Sequence, residues 1–200
     1  MSRVLIVHAS RHGSTAGIAV RIGEVLRNEG IEAVVESAAR APDPAGFDAC
    51  VVGGAVYIGS WEKAGLEFLA RHESNLATMP VWLFSSGPLP GSAAEKAPAA
   101  EKAPATDAIT TALGPDAGPG SGGRRRIEAL ADAIRVRDHR VFRGAFDPTV
   151  PPKSISERLV RMMPAARQGL LPAGDFREWE LIDGWAREIA AALREPVAAG

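Results

Sequence analysis

A short apolar run, Arg3-Val-Leu-Ile-Val-His8, leads at once into Ala9-Ser-Arg-His-Gly-Ser-Thr15 and then into a long amphipathic segment that stops at Gly30. This order constrains the fold more than any other stretch of the chain. The run is rich in β-branched residues and too short for a helix, so it reads as a buried strand. Ile18, Ile22, Val25 and Leu26 fall on one face of a helix. Between strand and helix, the hydroxyls of Ser10, Ser14 and Thr15 surround Gly13. A strand that turns tightly into a helix aims free backbone N–H groups outward, and the helix dipole adds to them. Hydroxyls complete such a nest, and glycine lets the backbone approach a ligand closely. The pattern suits a phosphate group. Ser10 or Ser14 acting only as a helix cap is the competing reading, and the loop alone does not separate the two. For Arg11 and His12, a solvated surface role is commoner than a role in anion binding. Neither G-x-x-x-x-G-K-S/T nor G-x-G-x-x-G follows this strand. The nucleoside-triphosphate loop and the dinucleotide fingerprint are therefore excluded.

At 200 residues and net charge −1, the chain suits one domain and gives no reason to expect nucleic acid as a partner. No apolar run approaches transmembrane length, and the chain enters a strand too soon for a signal peptide. A cytoplasmic location is the expectation. Cys50 is the single cysteine. It allows no intrachain disulfide and no cysteine zinc cluster, and its apolar surroundings suit a buried structural thiol. No metal site is expected.

Further along, Ile31–Glu36, Asp48–Gly53, Met79–Ser85 and Asp138–Phe146 read as strands. A helix is expected from Trp61 to Leu76, and another from Arg124 to Arg135. A third is expected from Ser154 to Met163, and a last from Phe176 to Leu193. Trp179 and Trp185 in the last helix suit a core stripe better than a cofactor contact. Residues 88–123 break the pattern. This Ala/Pro/Gly/Ser-rich stretch holds AEKAPA twice in succession and is expected to be a mobile, low-complexity insert within a single domain spanning 1–200. The run Arg124-Arg-Arg126 reads as a solvated helix start.

Strands alternating with helices predict a doubly wound parallel α/β sheet covered on both faces, in the order 2-1-3-4-5. Ligands in such folds bind at the carboxyl ends of the strands, at the switch point between the first and third. Three stretches meet there: Ser10–Thr15, Gly54–Trp61 and Ser85–Pro88. None carries a metal cluster or a Ser–His–Asp set, and no catalytic acid or base can be named.

Ser10-x-x-Gly13-x-Thr15 resembles the FMN-phosphate signature of flavodoxins. Gly53-Gly-Ala-Val-Tyr-Ile-Gly-Ser-Trp61 resembles the second flavin loop of flavodoxin-domain proteins, a group similar to the flavodoxin-type menaquinone-dependent protoporphyrinogen oxidases. Glu157–Met163, Gly174–Trp179 and Trp185–Ile189 are similar to the same group. The resemblance covers nearly all of the chain except the Ala/Pro-rich insert. It implies a flavodoxin-like fold and an FMN cofactor. Ser10, His12, Gly13, Ser14 and Thr15 would hold the phosphate. Gly54, Ala55, Val56, Tyr57, Ile58, Gly59 and Trp61 would contact the flavin ring, with Tyr57 or Trp61 stacking on it. Ser85, Ser86 and Gly87 would line the other side. The third loop, Ser85–Pro90, lacks the aromatic that many flavodoxins place there, which leaves one face of the ring open. The Ala/Pro-rich insert departs from the loop of the oxidase-like proteins.

Two functions follow from the resemblance. The first is an FMN-dependent oxidoreductase passing electrons from a substrate, a tetrapyrrole in the oxidases, to a quinone or another acceptor. The second is an electron carrier serving a redox partner protein, with no substrate of its own. The near-zero net charge counts against the carrier, because it gives little long-range steering. A scaffold that has lost its flavin is a third reading, opposed by the intact hydroxyls and glycines. With Lys153, Arg158 and Arg161, the Ser154–Met163 helix offers peripheral membrane contact as an alternative to packing on the sheet.

Overall fold

The computed structural model describes residues 2–57, 60–87, 121–147, 149 and 173–195. The strands are β1 (Arg3–Ala9), β2 (Glu32–Ser37), β3 (Ala49–Tyr57), β4 (Ser60–Trp61), β5 (Val81–Ser86), β6 (Asp138–Phe142), β7 (Ala145–Phe146) and β8 (Gly174–Asp175). The helices are α1 (Ser14–Asn28), α2 (Lys63–Arg71), α3 (Glu73–Leu76), α4 (Ser121–Ile134) and α5 (Trp179–Arg194). Residues 88–120 of the expected insert, the 154–163 helix with Lys153, Arg158 and Arg161, and Ile58 and Gly59 all lie outside the described residues.

The principal sheet runs β2-β1-β3-β5-β6, all parallel. Counting its five long strands in chain order gives 2-1-3-4-5, the expected doubly wound arrangement. Side chains alternate across it. Val4, Ile6, Val51 and Phe84 face α1 and α5, where Ile22, Leu26, Trp185 and Ile189 meet them. Leu5, Val7, Val52 and Leu83 face α2, α3 and α4, where Phe68, Leu69, Leu76 and Leu130 meet them. Burial on both faces explains why the strands read as continuous apolar runs. Cys50 lies in this core, and burial pushes its thiol far above the usual range, so it is held protonated.

Several expected boundaries are corrected. The third strand does not stop at Gly53 but continues to Tyr57, because β4 turns back and pairs antiparallel with it. Gly54, which suggests a loop, is a strand position like Gly53, and both are covered by aromatic rings. Phe84 fills the space where a Gly53 side chain would stand, and Trp61 does so at Gly54. The helix expected from Trp61 begins only at Lys63 and breaks at His72, whose φ of −110° leaves the helical region. The fifth strand ends at Phe142. Ala145–Phe146 then forms a separate ribbon with Gly174–Asp175, and α5 begins at Trp179 rather than Phe176.

Candidate functional site

The carboxyl ends of the central strands stand level: Ala9 pairs with Gly54, Gly54 with Ser85, and Ser86 with Phe142. The segments that follow these strands therefore emerge at one edge, at the switch point between β1 and β3.

The loop after β1 is shaped from within. The Gly13 N–H donates to Ser10 Oγ at 3.0 Å, which closes the turn. Gly13 sits at φ +88°, left-handed backbone that favours glycine, and nothing lies within 4 Å of where a side chain would stand. Gly17 N–H donates to Gly13 carbonyl at 2.9 Å and starts α1. The N–H groups of Ser14, Thr15 and Ala16 precede the first helical bond and aim past the helix end. No side chain caps this end, and the first turn carries no acidic residue. The capping alternative for Ser10 and Ser14 is thereby set aside. Ser10 serves the turn. Ser14 Oγ accepts the Ala145 N–H at 2.9 Å, tying β7 to the helix start. Each serine spends an acceptor lone pair inside the protein and retains an O–H proton to donate. Thr15 is 1% exposed, and its hydroxyl has no hydrogen-bond partner among the described residues. A buried hydroxyl without a partner costs about 1–3 kcal/mol. Its presence at a helix start of concentrated positive potential fits a group that brings acceptor oxygens, such as a phosphate monoester.

Arg11 and His12 are half-buried beside this loop. Arg11 forms an ion pair with Glu62, the residue that precedes α2. The loop after β1 is thus tied to the base of the β3–β4 hairpin.

That hairpin carries the second expected stretch. Gly54 and Ala55 are buried within the sheet, and Ala55 carbonyl accepts the Glu62 N–H at 2.8 Å. Val56 is half-buried and pairs with Trp61. Tyr57 ends the strand; its side chain, like Ile58 and Gly59, lies outside what is described. Trp61, with Tyr57 one of the two expected stacking residues, lies inside the protein. The indole is 3% exposed, lies under Gly54 and Gly65, and donates to Ser85 Oγ at 2.8 Å.

Ser85 is enclosed likewise. It is wholly buried, and its hydroxyl lies between Trp61 Nε1 and His139 Nε2, the latter at 2.9 Å. Ser86 points to the opposite side of the sheet, also buried, where Ser86 Oγ and Ser14 Oγ both crowd Gly144. Gly87 is half-buried, packs on Val56, and its N–H donates to Phe142 carbonyl at 3.3 Å. The structure therefore gathers Ser10, Gly13, Ser14, Thr15, Val56 and Gly87 at one edge and withdraws Trp61 and Ser85 beneath it.

Sequence reasoning missed Gly144, Ala145 and Arg177. Arg177 rests against Gly17 on the first turns of α1, is held by both Asp175 carboxylate oxygens, and lies 4.4 Å over the Trp179 ring. Although Arg177 lies in the Gly174–Trp179 stretch, no local motif ties these residues to α1, since only the ribbon pairing brings them there. His139 was legible in principle, because alternation along β6 puts it on the inner face. Among the described residues no three His, Cys, Asp or Glu side chains group as a metal site. No helix there is long and apolar enough to cross a membrane.

Comparison with known proteins agrees with this architecture. A family model described as flavodoxin domain matches residues 5–114. Over 196 residues the chain is 22% identical to the protoporphyrinogen IX dehydrogenase (quinone) of Escherichia coli strain K12, covering 97% of this chain and 98% of that protein. The fold is similar to that of a flavodoxin from Pseudomonas aeruginosa, with a TM-score of 0.53 at 15% identity, covering 96% of this chain and 99% of that one. It is also similar to part of rubredoxin oxygen:oxidoreductase from Desulfovibrio gigas, with a TM-score of 0.54 at 13% identity. That match covers all of this chain and 38% of the other.

Proposed function

The chain belongs to the flavodoxin domain family, and on that premise we propose that it is an FMN-dependent oxidoreductase of the protoporphyrinogen-oxidase-like kind. The observation that carries the cofactor assignment is the buried, unpartnered Thr15 hydroxyl at the uncapped start of α1. The residues present fit a flavin mononucleotide phosphate. The backbone N–H groups of Ser14, Thr15 and Ala16 and the O–H protons of Ser10, Ser14 and Thr15 would bind its oxygens, with His12 at the rim. Gly13 lets the loop close around them. Val56, Tyr57, Ile58 and Gly59 of the hairpin and Gly87 after β5 would flank the flavin ring. Trp61 and Ser85 support the hairpin from below and touch no ligand in this reading.

FMN, when bound, supplies the redox chemistry, receiving electrons from one partner and giving them to another. The chain binds and orients it. The N–H donors and the positive end of α1 hold the phosphate, and the Arg11–Glu62 ion pair keeps the two flavin loops in one arrangement. The tetrapyrrole substrate and quinone acceptor are supported by similarity to the Escherichia coli enzyme over almost the whole of both chains.

The test has two steps. Purified protein is reconstituted with FMN and its visible spectrum recorded. It is then assayed for oxidation of a protoporphyrinogen with a menaquinone analogue as acceptor. Flavin bands with quinone-dependent turnover are the expected result. Flavin bands without turnover, but with electron exchange with a flavodoxin reductase, would favour an electron carrier. No flavin bound in excess FMN would overturn both.

A further inference from the structure

Gly17 is the fourth residue of α1, a helix whose start no side chain caps. Glycine is the poorest helix former after proline, so it weakens an end that is already weak. The reason for it lies outside the helix. The space that a side chain would take is filled by the Arg177 guanidinium, whose Nη1 lies against Gly17. The guanidinium is fixed on its other sides. Its Nε and Nη2 donate to the two carboxylate oxygens of Asp175, the former at 2.8 Å, and its carbon lies 4.4 Å from the centre of the Trp179 ring. The Arg177 side chain is 19% exposed. A planar fork paired and stacked in this way has one orientation, which a lysine does not reproduce.

Asp175 belongs to β8, and its partner in the ribbon is Ala145. The Ala145 N–H donates to Ser14 Oγ at 2.9 Å, so the ribbon side of the molecule grips the start of α1 twice, at Ser14 and at Gly17. The Phe176 N–H donates to Gly144 carbonyl at 3.1 Å, beside both grips. Gly13, Gly17 and Arg21 are spaced by four and lie one above another on α1. One turn beyond Gly17, Asp183 of α5 accepts from Arg21 Nε and Nη2, each at 2.7 Å. Contact from the last part of the chain thus runs along this line of α1 to its first turn. The free N–H groups of Ser14, Thr15 and Ala16 point where that turn points them. An uncapped turn frays unless packing from outside the helix holds it.

We propose that Arg177 is a positioning residue for the flavin phosphate: laid on Gly17 and held by Asp175, it clamps the first turn of α1 in the arrangement that aims its free N–H groups at the phosphate. This rests on the FMN reading above. Arg177 touches no part of the flavin in this role. Its charge is already paired with Asp175, so it acts through the helix and not by direct attraction. Other elements flank the ring in that reading, so the clamp serves the phosphate end of the cofactor.

The experiment compares wild type with Arg177→Met, Gly17→Ala and the double variant. Arg177→Met keeps the apolar stem and removes the fork. Gly17→Ala puts a methyl group in the guanidinium's place, and what it displaces is the far end of a flexible side chain, so the fold is kept. Dissociation constants for FMN and for riboflavin, the same flavin without its phosphate, come from fluorescence titration, and thermal melts are taken without flavin. Both single variants are expected to weaken FMN binding about tenfold, the effect of one hydrogen bond to a charged group, with riboflavin binding unchanged. Gly17→Ala is expected to do so without loss of thermal stability, since alanine is the better helix former. The double variant is expected to bind FMN no more weakly than either single one, because both remove the same contact. Gly17→Ala carries the test if Arg177→Met does not fold. Wild-type FMN affinity in the folded variants would overturn the proposal, and so would an additive loss in the double variant. Equal losses for FMN and riboflavin overturn it too, since they describe loosened packing. A Gly17→Ala protein that loses thermal stability along with FMN affinity does the same, with or without a riboflavin value. In all these cases the FMN reading stands. A wild type that binds no FMN overturns that reading, and the clamp falls with it.

Discussion

Thr15 concentrates the logic of the site in one side chain. Its hydroxyl is buried at the start of α1 and bonds to nothing described, which is a cost carried by the flavin-free protein. Thr15→Val keeps the shape and removes the oxygen. Two effects of opposite sign are expected. The flavin-free variant should be more stable by about 1 kcal/mol, because the orphaned group is gone. On the FMN reading proposed above, FMN binding should weaken by roughly tenfold, because a donor to its phosphate would be gone. Thermal melts without flavin and a fluorescence titration with FMN measure the two. Improved stability with unchanged affinity would remove Thr15 from the phosphate site. Gly13 is constrained by backbone, not by space. Its φ is +88° with open surroundings, so Gly13→Ala is expected to cost about 1–2 kcal/mol through the left-handed conformation alone. Urea denaturation would read that cost.

At the scale of elements, apolar periodicity and β-branched runs made the five long strands and their order legible, because burial on both faces leaves an unambiguous pattern. The Ser10–Thr15 loop was legible for a related reason: the hydroxyls, the glycine and the strand-to-helix change lie next to one another in the chain. Gly54 misled, because glycine marks both a loop and a strand crossed closely by another side chain. Only the positions of Phe84 and Trp61 tell these apart. Ala145 and Arg177 were not legible, since they reach α1 through a ribbon closed over a long sequence separation. Two helix glycines make the same distinction testable. A methyl group on Gly23 of α1 would stand 2.7 Å from Val35 Cγ2 and 3.4 Å from Ile6 Cδ1, where β1 and β2 pack under the helix. Gly184 of α5 has open space around it. Alanine gains up to about 1 kcal/mol over glycine in a helix, and overpacking a core costs about 1–3 kcal/mol. Gly184→Ala is therefore expected to raise the urea midpoint and Gly23→Ala to lower it. A rise in both would mean that α1 can move off the sheet freely.

Over the whole molecule, the described titratable groups predict a two-stage loss of stability in acid. The first stage belongs to His8, near the end of β1. Its Nδ1 is buried without a partner, and burial holds its pKa below the ordinary value of 6.5, opposed by Glu36 and assisted by Arg40. Between 6.5 and the lower folded value, the unfolded chain binds a proton that the folded chain refuses. Stability must therefore fall as pH drops through that window. The second stage belongs to carboxylates held below their usual range. Hydrogen bonds from Arg21 do this at Asp183, those from Arg177 at Asp175, and the Ala45 N–H at Asp43. Each contributes stability that is complete above the ordinary carboxylate range and is lost as pH falls through the folded value. Urea midpoints taken from pH 7.5 down to about 3 should therefore descend in two steps. His8→Gln, which cannot take up the proton, should abolish the upper step and leave the lower one. Arg21→Gln should shrink the lower step and leave the upper one, since Arg21 pairs with Asp183 and the charges that act on His8 are Glu36 and Arg40. An unaltered upper step in His8→Gln would move its origin to another histidine and release β1 from any part in the acid response.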